Sequence, residues 1–296
     1  MSSQYYKECN LCARACLVDR TQKVGYCRAS DELYIARAAL HHWEEPPISG
    51  TNGSGTIFFS GCSLSCEFCQ NIEISRGRAG KFVSVERLSK IMLELQEQKA
   101  HNINFVTPTH YIPTIAEAIK MARADGLSIP IVYNTGSYDK VDALKLLDGL
   151  VDIYLPDLKY YSKKTADLSK APDYPEVARA AISEMYRQVG ECIFDEQGIM
   201  KKGMIVRILL LPGHVADAKL SLKHLVETYG DSVYVSLMNQ YTPMAGMKAP
   251  LNRVVTREEY RDLLLYADKL GLKNGFTQEF GTAKESFIPP FDGSGL

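Results

Sequence analysis

From Thr56 onward, short apolar runs rich in β-branched residues alternate with longer stretches whose apolar positions recur every three or four residues. The short runs at 56–60, 102–106, 130–135, 151–155, 204–211 and 233–238 predict strands. The stretches at 84–99, 112–125, 139–147, 173–189, 217–229 and 256–271 predict amphipathic helices. In the first of these the stripe is Leu88, Ile91, Met92 and Leu95. Thr256 and Glu259 have capping-box spacing, where hydroxyl and carboxylate each satisfy a free backbone N–H. Near-continuous apolar strands separated by helices belong to a parallel sheet covered on its faces. The expected fold class is therefore α/β. About six β–α units fall short of the eight that close a full barrel, so an open, partial (three-quarter) parallel β/α barrel follows. Its lateral opening would admit a large substrate.

The first fifty residues break this rhythm. Residues 31–40 alternate weakly and predict a strand packed on the main body. His41, His42 and Trp43 follow, then Glu44-Glu45-Pro46-Pro47. Adjacent histidines point in divergent directions, which suits hydrogen bonding or solvation better than shared metal ligation. The run from Ser49 to Gly55 is turn-rich and lacks the Lys-Ser/Thr ending of a P-loop. It reads as a boundary between a Cys-rich extension (1–50) and the barrel (51–296). Further on, Asp195–Gly198 reads as a hairpin turn leading into the strand at 204–211, and lone Cys192 as a small buried hydrophobe.

A chain of 296 residues with 46% hydrophobic content can build a large core. Its 34 basic and 35 acidic residues balance to a net charge of -1, so neither nucleic acid nor an anionic membrane is expected as a partner. The apolar runs are too short to span a bilayer, and the start lacks a signal peptide's apolar core. A cytoplasmic location is expected. In a reducing compartment, eight cysteines grouped as four, three and one point to metal binding before disulfides.

The group of three is Cys62-x3-Cys66-x-Phe68-Cys69, on a loop directly after the first barrel strand. Structural zinc and electron-carrying 4Fe–4S clusters take four protein ligands. A cubane held by three thiolates keeps one iron free for an outside ligand. A disulfide with a spare thiol, or three ligands completed by a distant fourth, are the plainer alternatives. The group of four, Cys9-x2-Cys12-x3-Cys16-x10-Cys27, has enough ligands to close a site and suits a second Fe–S cluster or a tetrahedral zinc. A redox-sensitive N-terminus with no metal is the bland reading.

Polar residues at the carboxyl ends of parallel strands face a barrel's site. Here these ends read Pro108-Thr109-His110, Asn134-Thr135-Gly136, Asp157-Leu158-Lys159, Arg207, His214 and Asn239-Gln240-Tyr241. Any one alone suits a turn or helix cap. Asp157 and Lys159, two opposite charges at one strand end, fit a zwitterion or a ribose in a pocket.

The cysteine motif, with an aromatic before its last cysteine, resembles the signature of the radical S-adenosylmethionine superfamily. The continuation through Gln70-Asn71-Ile-Glu-Ile-Ser75, then Gly80 and Val83-Ser84, resembles the pyruvate formate-lyase activating enzyme branch and its uncharacterised relatives. The resemblance implies a partial barrel, a 4Fe–4S cluster on Cys62, Cys66 and Cys69, and S-adenosylmethionine on the fourth iron. It implies reductive cleavage to a 5′-deoxyadenosyl radical that abstracts hydrogen. Asp157 and Lys159 would bind the cofactor, Asn134, Thr135 and Gly136 would stand near its adenosyl part, and Phe68 by the adenine. Where relatives carry Gly-Gly-Glu, this chain has Val106-Thr107-Pro108-Thr109-His110, so Thr109 or His110 takes the amino group. Asn239-Gln240-Tyr241 stands where an activating enzyme offers Tyr-His, and Asn239 is carried over as a cofactor contact. The implied partners are a flavodoxin- or ferredoxin-type electron donor and a glycyl radical enzyme. Another protein, peptide or small molecule is the alternative substrate. A non-catalytic Fe–S carrier or a zinc-stabilised interaction protein is the alternative of a different class.

Overall fold

A computed structural model of the chain describes residues 4–279 and 289–296. Among the described residues ten strands run in chain order as β1 (Leu33–His41), β2 (Ser54–Phe59), β3 (Lys81–Val83), β4 (Ile103–Val106), β5 (Ile131–Thr135), β6 (Ile153–Pro156), β7 (Ile193–Phe194), β8 (Met200–Leu209), β9 (Tyr234–Met238) and β10 (Gly275–Thr277). The parallel part of the sheet has the order β2-β4-β5-β6-β8-β9-β10. β1 adds to the β2 edge antiparallel and carries β3 on its other side. Among the described residues, β3 and β10 end the sheet and do not pair, so the barrel is open.

All six expected barrel strands are present, and β1 is the expected strand of the extension. The parallel set gains a seventh member in β10, whose three residues are too short for a periodicity to register. Helices Val85–Glu97, Ile112–Ala124, Tyr174–Val189, Val215–Tyr229 and Arg257–Leu270 cover the outer face. The expected helix at 139–147 forms one turn at Val141–Leu144 and tightens over Lys145–Leu147. Thr256 and Glu259 make the expected capping box, and Ser84 Oγ accepts from Arg87 N. The turn at Asp195–Gly198 closes with Gly198 N donating to Asp195 O at 3.0 Å. No helix among the described residues is long and apolar enough to cross a membrane.

Strand alternation divides the core in two. Ile57, Phe59, Ile103, Phe105, Ile131, Tyr133 and Tyr154 join the large core shared with the covering helices. The intervening residues face the barrel's interior. At one end Ile48, from the short helix Pro46–Ser49, fills that interior against Val132, Ile153, Leu155, Met200 and Ile205. Towards the carboxyl ends of the strands it opens into a cleft.

Candidate active site

The cleft begins where β2 ends. Gly61 has φ +93°, and a Cβ there would stand 2.6 Å from the Cys27 carbonyl oxygen, so only glycine turns the chain at this point. Cys62, Cys66 and Cys69 then line one cleft with Phe68, Asn134, Thr135, Gly136, Asp157, Lys159 and Arg207. Cys66 Sγ lies 2.8 Å from Ser169 Oγ, Cys69 Sγ lies 3.4 Å from Ser75 Oγ, and Leu64 N donates to Cys62 Sγ at 3.4 Å. Burial pushes the Cys62 thiol up to about 12, with Cys66 and Cys69 adding to it. Burial raises Cys66 too, against the pull of Lys159. A bound metal would favour the thiolate forms that burial disfavours at Cys62 and Cys66.

The wall opposite the loop is a chain of alternating charges. Burial works against the Asp157 carboxylate, yet Arg207 and Lys159 outweigh it and hold it below the usual carboxylate range. Lys159 Nζ donates to Asp157 at 2.5 Å and Arg207 Nε at 2.7 Å. Arg207 Nη2 donates to Asn134 Oδ1 at 2.6 Å, and its Nη1 stands 3.5 Å from Glu44. Asn104 and Asn134 donate to Glu44 Oε1 at 3.0 and 3.3 Å. Burial raises Glu44 and its neighbour Glu45, with Arg207 opposing in both cases.

Eight of the expected residues thus share the cleft: Cys62, Cys66, Cys69, Phe68, Asn134, Gly136, Asp157 and Lys159, with Thr135 as a ninth. The Thr135 hydroxyl is committed to Asp139 at 2.7 Å. Thr109 and His110 are buried but do not line the cleft; Val106 and Thr107 of the same strand end do. His110 Nε2 lies 2.9 Å from Ser60 O, and its Nδ1 has no partner. Asn239 takes Gln278 Oε1 on its N–H at 2.8 Å, while the next two residues, Gln240 and Tyr241, face the cleft. Glu44 and Glu45 carry no local signal, because what places them is the return of a Pro-rich connector into the barrel. Arg207, named in the sequence as a polar strand end, lines the cleft, where a lone arginine of an apolar strand needs a buried partner and finds Asp157.

The residues fit a cluster with one free iron and a zwitterionic cofactor. Three thiols share the cleft, and no other cysteine lines it. The imidazole that does, His41, packs edge-on to Phe58 at 5.9 Å. Among the described residues no three His, Cys, Asp or Glu side chains are drawn together tightly enough for a single ion. A cubane instead spreads its thiolates over separate irons. Gly136 keeps a backbone wall clear, since a Cβ there would stand 3.1 Å from Leu64 and 3.5 Å from Lys159 Cε. The sequence pattern that defines the radical SAM superfamily matches residues 56–214, more than half the chain. The chain belongs to the radical SAM superfamily. Membership carries S-adenosylmethionine and a 4Fe–4S cluster with it.

Among curated proteins it is similar to the uncharacterized protein MJ0674 of Methanocaldococcus jannaschii, 28% identical over 92% of this chain and 78% of that one. Among solved structures it is similar to SuiB of Streptococcus suis (13% identity, TM-score 0.50, 77% of this chain and 49% of that one). SuiB bound to S-adenosylmethionine gives TM-score 0.51 at 12% identity, over 75% of this chain and 49% of that one. At such identities the likeness is one of fold. The chain spans about half the length of the SuiB structures it matches.

The N-terminal cysteines form a second group, outside the cleft. Cys9 and Cys27 are buried, and Cys12 and Cys16 half-buried. Burial pushes the Cys12 thiol up to about 12, and Cys27, Cys9 and Cys16 are near enough to add to it. Cys192 is apart from both groups, with its Sγ 3.5 Å from Met204 O.

Proposed function

We propose that this protein cleaves S-adenosylmethionine reductively at Cys62, Cys66 and Cys69 and uses the resulting 5′-deoxyadenosyl radical to remove hydrogen from a C–H bond of a polypeptide partner. The observation that carries it is the shared cleft: three thiols of one loop open onto Lys159, Asp157, Asn134 and Gly136. Bound there, the cluster and cofactor supply one-electron scission of a sulfonium C–S bond. The chain's own residues do the rest. Lys159 attracts the cofactor's carboxylate, and Asp157 accepts hydrogen bonds from its amino group or ribose. Gly136 admits the cofactor against the backbone, and Phe68 offers a ring face to its adenine. The apolar inner wall of Phe58, Val106, Leu209 and Met238 excludes water from a reactive intermediate.

The polypeptide substrate is supported by the open side of the barrel and by the peptide-bound state of the similar SuiB, whose structure was solved with the precursor peptide SuiA. A glycine Cα–H in a glycyl radical enzyme is the form of this reading that the cysteine loop's continuation favours. A carrier role is disfavoured because a carrier's cluster needs four protein ligands and this cleft has three thiols. The test is anaerobic. Reconstituted protein, S-adenosylmethionine and dithionite are expected to yield 5′-deoxyadenosine well above a Cys66→Ala control. Equal yields would end the proposal. A candidate partner incubated with the system is then expected to acquire a carbon-centred radical by electron paramagnetic resonance.

A further inference from the structure

The four N-terminal thiols take no part in the reaction above, yet the segment that carries them packs against the cluster loop. Cys9, Cys16 and Cys27 gather around a buried arginine, and Cys12 lies near these three. A Cβ on Gly25 would stand 3.5 Å from Cys27 Sγ, 3.6 Å from Cys16 Sγ and 3.6 Å from Arg20 Cδ. Arg20 Nη1 lies 3.6 Å from Cys9 Sγ. The backbone winds tightly to bring these residues in: Leu17 N donates to Cys9 O and Cys9 N to Val18 O, both at 3.1 Å, while Ala15 N turns back onto Cys12 O at 3.0 Å. Arg20 is wholly buried. It donates to Ala29 O at 3.0 Å, to His110 O at 2.5 Å and to Ser30 O. Its guanidinium lies over the rings of Tyr6 and Tyr111 at 4.8 and 5.5 Å. A guanidinium keeps its proton even when buried, so the thiol group contains a permanent positive charge.

The second observation is contact. Cys62 N donates to Cys27 O at 3.1 Å, which ties the last N-terminal cysteine to the first of the cluster loop by one hydrogen bond. Arg14 Nε donates to Ser63 O at 2.8 Å and Tyr26 OH to Ser65 Oγ at 3.1 Å. The extension therefore covers the loop from Cys62 to Ser65 on the side away from the cleft.

We infer that Cys9, Cys12, Cys16 and Cys27 hold a second 4Fe–4S cluster that relays electrons, one at a time, to the cluster on Cys62, Cys66 and Cys69. The inference rests on the cluster assignment at those three residues. Four thiolates close the site, so no iron is left to bind substrate and electron transfer is the chemistry that remains. Adding an electron to such a cluster adds a negative charge in a low-dielectric interior, and Arg20 offsets it. A zinc ion accepts no electron and gains nothing from adjoining a redox loop. Cys12 and Cys16 are half-buried, and Cys27 meets the loop through its carbonyl oxygen, which accepts from Cys62 N. In each cycle one electron leaves a low-potential protein donor of the flavodoxin or ferredoxin class and reduces the second cluster. It then passes to the first, which restores the second to its oxidised state. No bond is made or broken in the relay.

The experiment compares the anaerobically reconstituted full chain with its Cys12→Ser/Cys16→Ser double variant. Iron and sulfide should fall from about eight of each per chain to about four, with no zinc in either. A cluster signal that still responds to S-adenosylmethionine in the double variant shows that the first site stands independently of the second. Its stopped-flow reduction by a reduced flavodoxin should slow about tenfold or more, whereas reduction by dithionite should slow far less. One zinc per chain in place of the second four irons overturns the inference. So does a flavodoxin rate unchanged by loss of the second cluster. If the double variant does not fold, Cys16→Ser alone decides, because serine can still ligate iron. It should alter the second cluster's resonance and leave the first unaltered, and two unaltered spectra reject the relay.

Discussion

Arg207 is the residue on which the interior charges depend. Its guanidinium touches Asp157 and Asn134 and faces Glu44, with Glu45 close enough to add to its raised pKa. One cation thus answers three carboxyl groups, of which Lys159 helps only Asp157. Glu45 is the least satisfied, because its Oε2 is buried without a partner. The signs of the two kinds of shift differ. Asp157 is held low, so its contribution to stability is present above the ordinary carboxylate range and fades as pH falls through its lowered value. Glu44 and Glu45 are raised, so the folded chain holds protons that the unfolded chain has released, and stability falls as pH climbs from the ordinary carboxylate range through their raised values. Glu45→Gln is therefore expected to stabilise the protein above that window by about 1–2 kcal/mol and to change little at its acid end. Urea midpoints at pH 4.5 and pH 8 measure it, and a difference between variant and parent that fails to widen with pH refutes it.

Among the elements, the loop between β2 and the short helix Ile72–Ser75 is the most constrained. Gly61 N donates to Ile74 O at 2.8 Å, Cys62 N donates to Cys27 O, and the Gly61 φ lies outside the range that side chains accept readily. Gly61→Ala would force a Cβ into the Cys27 carbonyl and strain the backbone by about 1–3 kcal/mol. Both a lower urea midpoint and weaker iron retention are expected; an unchanged midpoint would show that the loop gives way cheaply. The sequence reveals this element by the cysteine spacing and by the apolar run before it, and it reveals six parallel strands for the same reason. Each of those strands is buried on two faces, so each reads as an apolar run. What stays hidden follows from the same physics. β7 and β10 have two and three residues, too few for a period to register. Position along the chain points to Thr109 and His110, but the backbone turns left-handed at Thr107 (φ +59°) and both are buried outside the cleft lining. Glu44 enters the barrel because Pro46–Ser49 returns beneath the sheet, and no local pattern encodes a return.

At the scale of the molecule the question is whether the Cys-rich extension and the barrel are two folding units or one. The turn-rich run at 49–55 suggests a boundary, and β1 alone would be a modest link. The packing argues for unity. Tyr6, Cys9, Leu11, Cys27 and Leu33 belong to the same buried cluster as Phe59, Phe105 and Tyr133. Tyr6 OH bonds Thr114 Oγ1 at 2.7 Å, and Arg20 donates to His110 O across the same seam. Separating the parts would expose these apolar residues and take the His110 carbonyl from the Arg20 charge, at a cost of several kcal/mol. The native chain is expected to unfold in a single transition. Trp43, the chain's one tryptophan, lines the cleft at the junction of the two parts and reports on both. Its fluorescence and the far-ultraviolet circular dichroism should therefore give coincident urea curves. Two separated midpoints would restore the boundary near residue 50. They would also remove the rigid seam that holds Cys27 against Cys62, because an extension that melts first leaves the cluster loop without its outer wall.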